Sequence, residues 1–261
     1  MKISSLASLL ENYFPSELAL KNDNPGLQVG NFNNEIKGIL LSLDVYLSTI
    51  GEAKEKNCNL IISHHPLLFF STKKINTSVY PYNAVQKAIQ NDITLYAIHT
   101  NADIADGGLN DYLCKILGIN RVEKIPPDNL IRYGTLPRPM KLIELCEHIR
   151  KKLHVPHIKY VGEKNKYVKD AAVCSGSCGD MLWNLNGEFD VFITGDIKHH
   201  TAIYAKERDI KLIDATHFST ELIFKDLLDE ILKKHIGNIP ILKSKHDSLP
   251  WKYFTKGGNV E

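Results

Sequence analysis

Short apolar runs alternate with amphipathic segments along most of the chain. Buried strands are predicted where apolar residues run together without polar alternation, at 36–43 (IKGILLSL), 59–63 (NLIIS), 93–98 (ITLYAI), 189–194 (FDVFIT) and 210–214 (IKLID), with two more near 157–161 and 167–174. Helical spacing of apolar residues predicts helices at 46–57, 81–91, 108–117, 139–153, 179–185, 197–208 and 217–235. This alternation predicts an α/β fold of mixed, mostly parallel sheets covered by helices.

The segment 121–130 (RVEKIPPDNL) interrupts the pattern with a Pro-Pro pair and little periodicity. It predicts a boundary between an N-terminal α/β lobe, residues 1–125, and a C-terminal α/β lobe, residues 126–261. The C-terminal lobe is expected to return to the first and complete a site that both lobes share.

Composition narrows the class of protein. The chain has 261 residues, with 32 basic and 30 acidic side chains, so no basic excess favours nucleic acid as a partner, although a local basic lining stays open. No apolar run is long enough to cross a bilayer. The first residues, MKISSLASLLENYF, contain Glu11 and predict an amphipathic helix, not a secretory signal. We therefore expect a cytoplasmic protein without a membrane partner.

The five cysteines do not form a regular pattern. An odd count argues against a disulfide framework, and the one close pair, Cys174 and Cys178, lacks the second pair that a zinc knuckle needs. We therefore expect free thiols.

Polar residues follow two strands of the predicted sheet. Ser63-His64-His65-Pro66 comes after LIIS, and its two imidazoles project in different directions, although an incidental polar turn has the same composition. His99-Thr100-Asn101-Ala102-Asp103 comes after ITLYAI; here Asp103 or Asp106 alternatively caps the next helix. Ligands of open α/β sheets bind at the carboxyl ends of strands, so both clusters are candidate sites.

Two further clusters follow strands of the C-terminal half. After IKLID, His217 and Glu221 are four residues apart on one helix face, which is a common way to hold a divalent ion; Glu221 would also complement the helix dipole. After VFIT, Asp196 is a candidate helix cap. Lys198, His199 and His200 are candidates for binding an anionic substrate, or form a solvated helix start.

Taken together, His64, His65, Asp103, His217 and Glu221 offer only nitrogen and oxygen donors. Such a set suits Zn, Fe, Mn, Co or Ni, and five side chains are more than one catalytic ion usually takes. The sequence predicts two divalent metal ions per subunit that share a bridging carboxylate and activate a water molecule.

The chain resembles the GTP cyclohydrolase I type 2 family, also called the NIF-three-like dinuclear-metal family. The matching motifs run along nearly the whole chain: Asp23-Asn24-Pro25-Gly26-Leu27-Gln28-Val29-Gly30, Ser42-Leu43-Asp44-Val45, Ser63-His64-His65-Pro66, His99-Thr100-Asn101-Ala102-Asp103, Gly107-Gly108-Leu109-Asn110-Asp111, Thr194-Gly195-Asp196 with His199-His200, His217-Phe218-Ser219-Thr220-Glu221 and Asp247-Ser248-Leu249-Pro250.

The resemblance implies a toroidal homohexamer whose paired metals face an internal cavity, with the same five ligands and Glu221 as the bridging carboxylate. It implies hydrolysis of GTP to 7,8-dihydroneopterin triphosphate and formate, with His99 or His199 moving protons. The chain departs from the family at Thr216, where members usually have Gly. The turn Ser175-Gly176-Ser177-Cys178-Gly179 resembles the family's Gly-rich turn, but its cysteines look particular to this chain.

The residues alone support only a metal-activated water, so two other functions stay open. One is a two-metal phosphoesterase acting on nucleotides. The other is a non-catalytic, metal-dependent hexameric scaffold for a protein or nucleic acid partner. The identity of the metals and the general acid do not follow from the sequence.

Overall fold

The computed structural model describes residues 1–185, 189–255 and 258–260. One sheet of five strands is built from β1 (Gly26–Val29), β2 (Ile39–Ser42), β3 (Leu60–Ser63), β4 (Thr94–Ala97) and β11 (Ile241–Lys243), in the spatial order β1-β4-β3-β2-β11. Its pairings are parallel except for the edge strand β1, which runs antiparallel to β4. The strands β2, β3 and β4 are buried at every position, as expected for parallel strands covered on both faces.

The second sheet has six strands: β5 (Asn120–Lys124), β6 (Arg132–Lys141), β7 (Lys159–Val161), β8 (Tyr167–Val173), β9 (Val191–Thr194) and β10 (Lys211–Asp214). Their spatial order is β5-β6-β8-β9-β10-β7, and only β8-β9 and β9-β10 are parallel. The expectation of mostly parallel sheets is therefore wrong for this sheet, because β5, β6 and β7 pair antiparallel at its two sides. Near the C-terminus, β12 (Tyr253–Thr255) and β13 (Gly258–Val260) form an antiparallel pair.

Helices cover both sheets. They are α1 (Ile3–Tyr13), α2 (Leu47–Glu55), α3 (Tyr82–Gln90), α4 (Thr100–Ile104), α5 (Leu109–Leu117), α6 (Leu142–Leu153), α7 (His199–Glu207), α8 (His217–Glu221) and α9 (Phe224–Leu232), with 3₁₀ turns at Ser16–Leu18 and Gly179–Asn184. Within the described ranges, no helix has both the length and the apolar character that a membrane span requires.

Three sequence expectations need correction. The helix predicted at 217–235 is divided into α8 and α9 at Leu222 and Ile223, a break that the sequence does not indicate because apolar residues continue across it. The first residues of the predicted boundary segment 121–130 belong to β5. The first residues of the helix predicted at 139–153 belong to the end of β6. The division into lobes at residues 125 and 126 stays a prediction.

The cysteine expectation is correct for three residues and wrong for two. Cys58, Cys114 and Cys146 are free and buried, whereas Cys174 and Cys178 form a disulfide. Their Cα atoms are 6.1 Å apart because the intervening loop turns back on itself, and this separation lies in the range that a disulfide bridges.

The carboxyl ends of the two sheets are joined by one buried apolar cluster. It contains Leu41 and Ile62 from the first sheet, and Val173, Ile193 and Ile213 from the second. In register, Ser63 pairs with Ser42 and Ala97, while Thr194 pairs with Asp214. The polar segments that follow these strands therefore emerge at the same place.

Candidate metal centre

The structure brings the five predicted ligands together around the carboxylate of Glu221. Its Oε1 lies 3.6 Å from Nε2 of His64, and its Oε2 lies 3.0 Å from Nε2 of His65 and 2.7 Å from Nε2 of His217. Oδ1 of Asp103 lies 3.7 Å from Nε2 of His64. These residues come from the end of β3, from α4 and from α8, so the site exists only when both sheets are in place.

His64 forms the deep side of the centre, where its side chain is fully buried. Its Nδ1 lies 2.9 Å from the carbonyl oxygen of Ile98, and since a carbonyl only accepts, Nδ1 must carry the proton and donate it. Burial lowers the pKa of His64 to about 4, against the opposing charge of Glu221, so the ring is neutral near pH 7. Nε2 therefore presents a lone pair to the centre.

His65 and His217 form the side of the centre that faces a cavity. Each ring is held at Nδ1 by a carboxylate, Asp44 at 2.9 Å for His65 and Asp196 at 2.8 Å for His217. Burial alone would lower the pKa of either ring, but the hydrogen bonds to these carboxylates and to Glu221 outweigh it and raise each pKa to about 10. Carboxylates behind imidazole ligands are a recurrent feature of metal sites, because they fix the ring and increase its basicity.

His99 adds a fourth imidazole. It immediately precedes α4, and its Nδ1 lies 2.7 Å from Oδ1 of Asp23. Its ring centroid lies 5.2 Å from that of His64 and 5.6 Å from that of His65. The sequence predicts this residue as a proton carrier, and the structure puts it within reach of the same centre as the ligands.

The two buried carboxyl groups have opposite surroundings. For Glu221, burial raises the pKa, but the imidazoles of His64, His217 and His65 outweigh it and hold the pKa well below its usual value. For Asp103, burial raises the pKa well above its usual value, and the charge of Glu221 adds to this. Asp103 is thus a costly charge in the absence of a cation beside it.

The side chains fit a metal ion. Within the described part of the chain, Nε2 of His64 and Oδ1 of Asp103 are buried without any hydrogen-bond partner, which is an expensive arrangement unless a cation lies between them. Nε2 of His64 lies 3.6 Å from Oε1 of Glu221 and 3.7 Å from Oδ1 of Asp103, close to the separation of about 3.4 Å between two ligands that are each about 2.1 Å from one tetrahedral ion. In the same part of the chain, two groups bring their ligand atoms within 4.8 Å of one another: His64 with His65 and His99, and His65 with His217 and Glu221.

Glycines at two turns allow the backbone to approach these ligands. A Cβ atom on Gly176 would lie 2.1 Å from Oε1 of Glu221, and one on Gly195 would lie 2.3 Å from the backbone nitrogen of His217. Gly176 also has a φ of +67°, which L side chains rarely adopt. No larger residue fits at either position while Glu221 and His217 stay where they are.

Thr216 precedes α8 with a φ of +63° and a ψ of 144°. This backbone region is unfavourable for a β-branched residue and is adopted readily by glycine, the residue that the family resemblance leads us to expect here. Its side chain accepts a hydrogen bond from the backbone N–H of Ser219 and therefore caps α8.

A cavity of about 800 Å³ opens beside the centre. His65 and His217 form part of its wall, and it also has three aromatic residues and several charged ones: Tyr46, Phe218, Trp251, Asp44, Asp196, Asp214, Lys159 and Lys252. Its volume lies within the usual range for pockets that hold small molecules.

The sequence also predicted roles for Asp196, as a helix cap, and for His199, as a proton carrier. Asp196 does not cap α7, whose preceding residue is Lys198 without a side-chain cap; it holds His217 instead. His199 is exposed at the start of α7, where its ring lies against His200, and it belongs to neither group of candidate ligands within the described residues. Its catalytic role stays a prediction.

The sequence analysis assigned no role to Asp23 or Asp44 and took Asp196 for a helix cap. Each of the three lies within a motif of the family resemblance without being a candidate ligand, and each holds one imidazole by its Nδ1. Their presence in the quoted motifs was the only available signal.

Comparison with known proteins gives a consistent result. The family model described as Duf34/NIF3 (NGG1p interacting factor 3) matches residues 1–250. A Clostridium acetobutylicum protein named "GTP cyclohydrolase 1 type 2 homolog" is 33% identical over 265 residues, covering 97% of this chain and 99% of its own length. A Campylobacter jejuni protein of the same name is also 33% identical, covering 97% of this chain and all of its own length.

Solved structures agree with these sequences. The Staphylococcus aureus hypothetical protein SA1388 superimposes with a TM-score of 0.89 and 31% identity, covering 97% of this chain and 99% of that one. Reduced HcgD from Methanocaldococcus jannaschii gives a TM-score of 0.83 and 30% identity, covering 94% of this chain and 98% of that one. With the family model matching nearly the whole length, the chain belongs to the Duf34/NIF3 (NGG1p interacting factor 3) family.

Proposed function

We propose that this protein is a hydrolase of purine nucleotides that depends on two divalent metal ions, with opening of the imidazole ring of GTP as its reaction. The observation that carries the proposal is the pair of unpartnered buried atoms, Nε2 of His64 and Oδ1 of Asp103, beside the shared carboxylate of Glu221. Relatives named "GTP cyclohydrolase 1 type 2 homolog" support the choice of substrate.

His64, His65, Asp103, His217 and Glu221 would hold the two ions, with Glu221 between them. When bound, the ions supply an activated water and positive charge that stabilises the oxyanion formed by its attack. Asp44 and Asp196 hold Nδ1 of His65 and His217, so that each Nε2 points into the centre.

His99 is the better of the two predicted proton carriers. Asp23 accepts from its Nδ1, which leaves Nε2 to exchange a proton beside His64 and His65. Asp23 itself stays ionised: burial raises its pKa, but hydrogen bonds from His99 and Thr100 outweigh this and lower it to about 2.

The cavity next to His65 and His217 would accept the nucleotide. Tyr46, Phe218 and Trp251 offer aromatic surfaces for a base, and Lys252 offers positive charge for phosphates, whereas Lys159 is paired with Asp214 at 2.6 Å. Toroidal assembly into a hexamer remains part of this proposal.

The test is an assay of protein loaded separately with Zn²⁺, Fe²⁺, Mn²⁺, Co²⁺ or Ni²⁺ and supplied with GTP. We expect release of formate, and we expect Glu221→Gln to reduce it more than about 100-fold, beyond the usual effect of losing a group that merely orients a ligand. Glu207→Gln is the matched control, because Glu207 is an exposed carboxylate at the end of α7 outside the cavity wall.

Three results would contradict the proposal. Phosphate release from nucleotides without formate would identify a phosphoesterase instead. Binding of a protein or nucleic acid partner that Glu221→Gln abolishes, with no hydrolysis by the wild type under any metal, would identify a scaffold. Equal activity of Glu221→Gln and the wild type would remove the metal centre from the reaction.

A further inference from the structure

The motif Gly107-Gly108-Leu109-Asn110-Asp111 contributes no candidate ligand, yet it contains a fully buried amide. Nδ2 of Asn110 donates to the carbonyl oxygen of Asp103 at 3.2 Å and to that of Leu130 at 2.9 Å. Its Oδ1 accepts from the backbone N–H of Ser175 at 2.7 Å. One side chain thus joins three separate backbone segments, and one of these carries a predicted metal ligand.

Arg132, the first residue of β6, is fully buried beside this amide. Its Nη2 lies 3.3, 3.1 and 3.0 Å from the carbonyl oxygens of Asp103, Ile104 and Ala105, and its Nε is paired with Asp111. These carbonyls end the short helix α4, where the backbone leaves acceptors unused and the helix dipole is negative. The guanidinium therefore holds the end of the helix that carries Asp103.

On its other side, Asn110 holds the loop that packs on Glu221. Beyond Ser175, the N–H of Gly176 donates to Oγ1 of Thr220 at 3.0 Å, and its carbonyl accepts from Gly195 at 2.9 Å. A Cβ on Gly176 would overlap Oε1 of Glu221, so a displacement of this loop moves directly against the carboxylate.

We propose that Asn110 and Arg132 are positioning residues of the metal centre, which fix the distance between the carboxylates of Asp103 and Glu221. Those two groups belong to α4 and α8, and Asn110 and Arg132 supply hydrogen bonds across the gap between their supporting backbones. The inference rests on the proposed metal centre but does not depend on the identity of the substrate.

The test compares Asn110→Asp with Asn59→Asp. The Asn110→Asp side chain keeps an oxygen that accepts from the backbone N–H of Ser175. Its second oxygen, however, replaces the amide nitrogen and lies against the carbonyl oxygens of Asp103 and Leu130. Asn59 is an equally suitable buried amide, since it donates to the carbonyl of Glu35 and accepts from the N–H of Lys37, each at 2.8 Å, but it precedes β3 at the end opposite His64. Both changes should lower the melting temperature of the metal-free protein.

The measurement is a Co²⁺ titration of each metal-free protein, at a temperature well below unfolding, followed by visible absorption. We expect Asn110→Asp to bind Co²⁺ about 10–100-fold more weakly than the wild type, with changed absorption bands, and Asn59→Asp to match the wild type. Arg132→Lys, which keeps the charge but loses the forked geometry, is the second variant and should also weaken binding, in case Asn110→Asp does not fold.

Wild-type Co²⁺ affinity and spectra in Asn110→Asp and in Arg132→Lys, whatever their melting temperatures, would overturn this inference alone and leave the metal centre standing. A wild-type protein that binds no Co²⁺ would overturn the metal centre and this inference together.

Discussion

The deep and the open side of the centre are formed by adjacent residues in opposite surroundings. His64 is fully buried, its Nδ1 donates to a neutral carbonyl, and its pKa falls to about 4. His65 has 24% of its side chain exposed, its Nδ1 lies against the carboxylate of Asp44, and its pKa rises to about 10. Burial keeps His64 neutral, whereas the carboxylates of Asp44 and Glu221 outweigh burial at His65 and keep it protonated.

This difference shows what each side needs from a cation. Without one, the charges on the open side balance, because protonated His65 and His217 neutralise Glu221. The deep side stays unsatisfied, since Nε2 of His64 and Oδ1 of Asp103 are both buried without a hydrogen-bond partner among the residues that the structure describes and lie 3.7 Å apart. A bound metal ion would therefore replace protons on the open side and would supply a partner to the unpaired atoms on the deep side.

The largest expected effect comes from removing one ligand on each side. Asp103→Asn should raise the stability of the metal-free protein by about 1–2 kcal/mol, because an amide can donate to Nε2 of His64 and cannot ionise in this buried position. His65→Asn should lower it by about 2–4 kcal/mol, because it leaves Glu221 and Asp44 without their shared partner. Both should weaken metal binding more than about 100-fold.

Thermal unfolding of the metal-free variants and calorimetric metal titration measure these effects. We expect the melting temperatures of the two variants to shift in opposite directions, while the affinity for metal falls in both. A destabilised Asp103→Asn protein would show that the deep side is already satisfied without a cation, and the contrast between the two sides would fail.

A smaller effect is expected in the pH dependence of metal binding. With pKa values near 10, His65 and His217 are protonated in the metal-free protein at neutral pH and must lose those protons to coordinate an ion. Metal affinity should therefore rise with pH up to about 10. The ion pairs stabilise the metal-free fold fully below the ordinary histidine pKa of 6.5, and this contribution disappears as pH rises through about 10.

Calorimetric titration at pH 7 in two buffers of different ionisation enthalpy measures the protons released. We expect release in the wild type and less release from His65→Asn. Identical apparent enthalpies in both buffers would mean that the open side is not protonated before the metal arrives.

The smallest expected effect concerns Thr216 at the rim of the open side. Thr216→Gly should stabilise the protein by about 1 kcal/mol, because relief of the positive φ outweighs the few tenths lost when glycine replaces a threonine cap. Thr216→Ala is the control, since it keeps the strained Cβ and loses the cap, and should be less stable than the wild type. Chemical denaturation compares the three, and a Thr216→Gly protein less stable than the wild type would contradict the prediction.

The convergence of the candidate ligands was predictable because they lie on segments that follow strands whose burial is visible in the sequence, as LIIS before His64 and KLID before His217 illustrate. Once parallel strands are recognised, their carboxyl ends must meet, and the polar residues there meet with them. The pairing of Asp44 with His65 was not predictable, because it depends on how two loops from neighbouring strands pack side by side.

Some elements of the fold gave no usable pattern. The strand β6 contains Pro137 and Pro139, and its pairing with β8 shifts register between Thr135 and Met140, so its residues do not alternate regularly. The break between α8 and α9 is not visible in the sequence either, since Leu222 and Ile223 continue the apolar period across it. Contacts between distant segments, absent from any local window, decide both cases.

The wide separation of His64 and Glu221 in the sequence also has a consequence for the synthesis of the chain. His64 and His65 leave the ribosome long before Glu221, and β11, which completes the first sheet beside β2, is made later still. A chain interrupted before Glu221 would carry these two imidazoles without the carboxylate that is proposed to share their ions. Retention of ions would thus be a property of the finished molecule, and an ion held by both His64 and Glu221 would close a long loop of the chain.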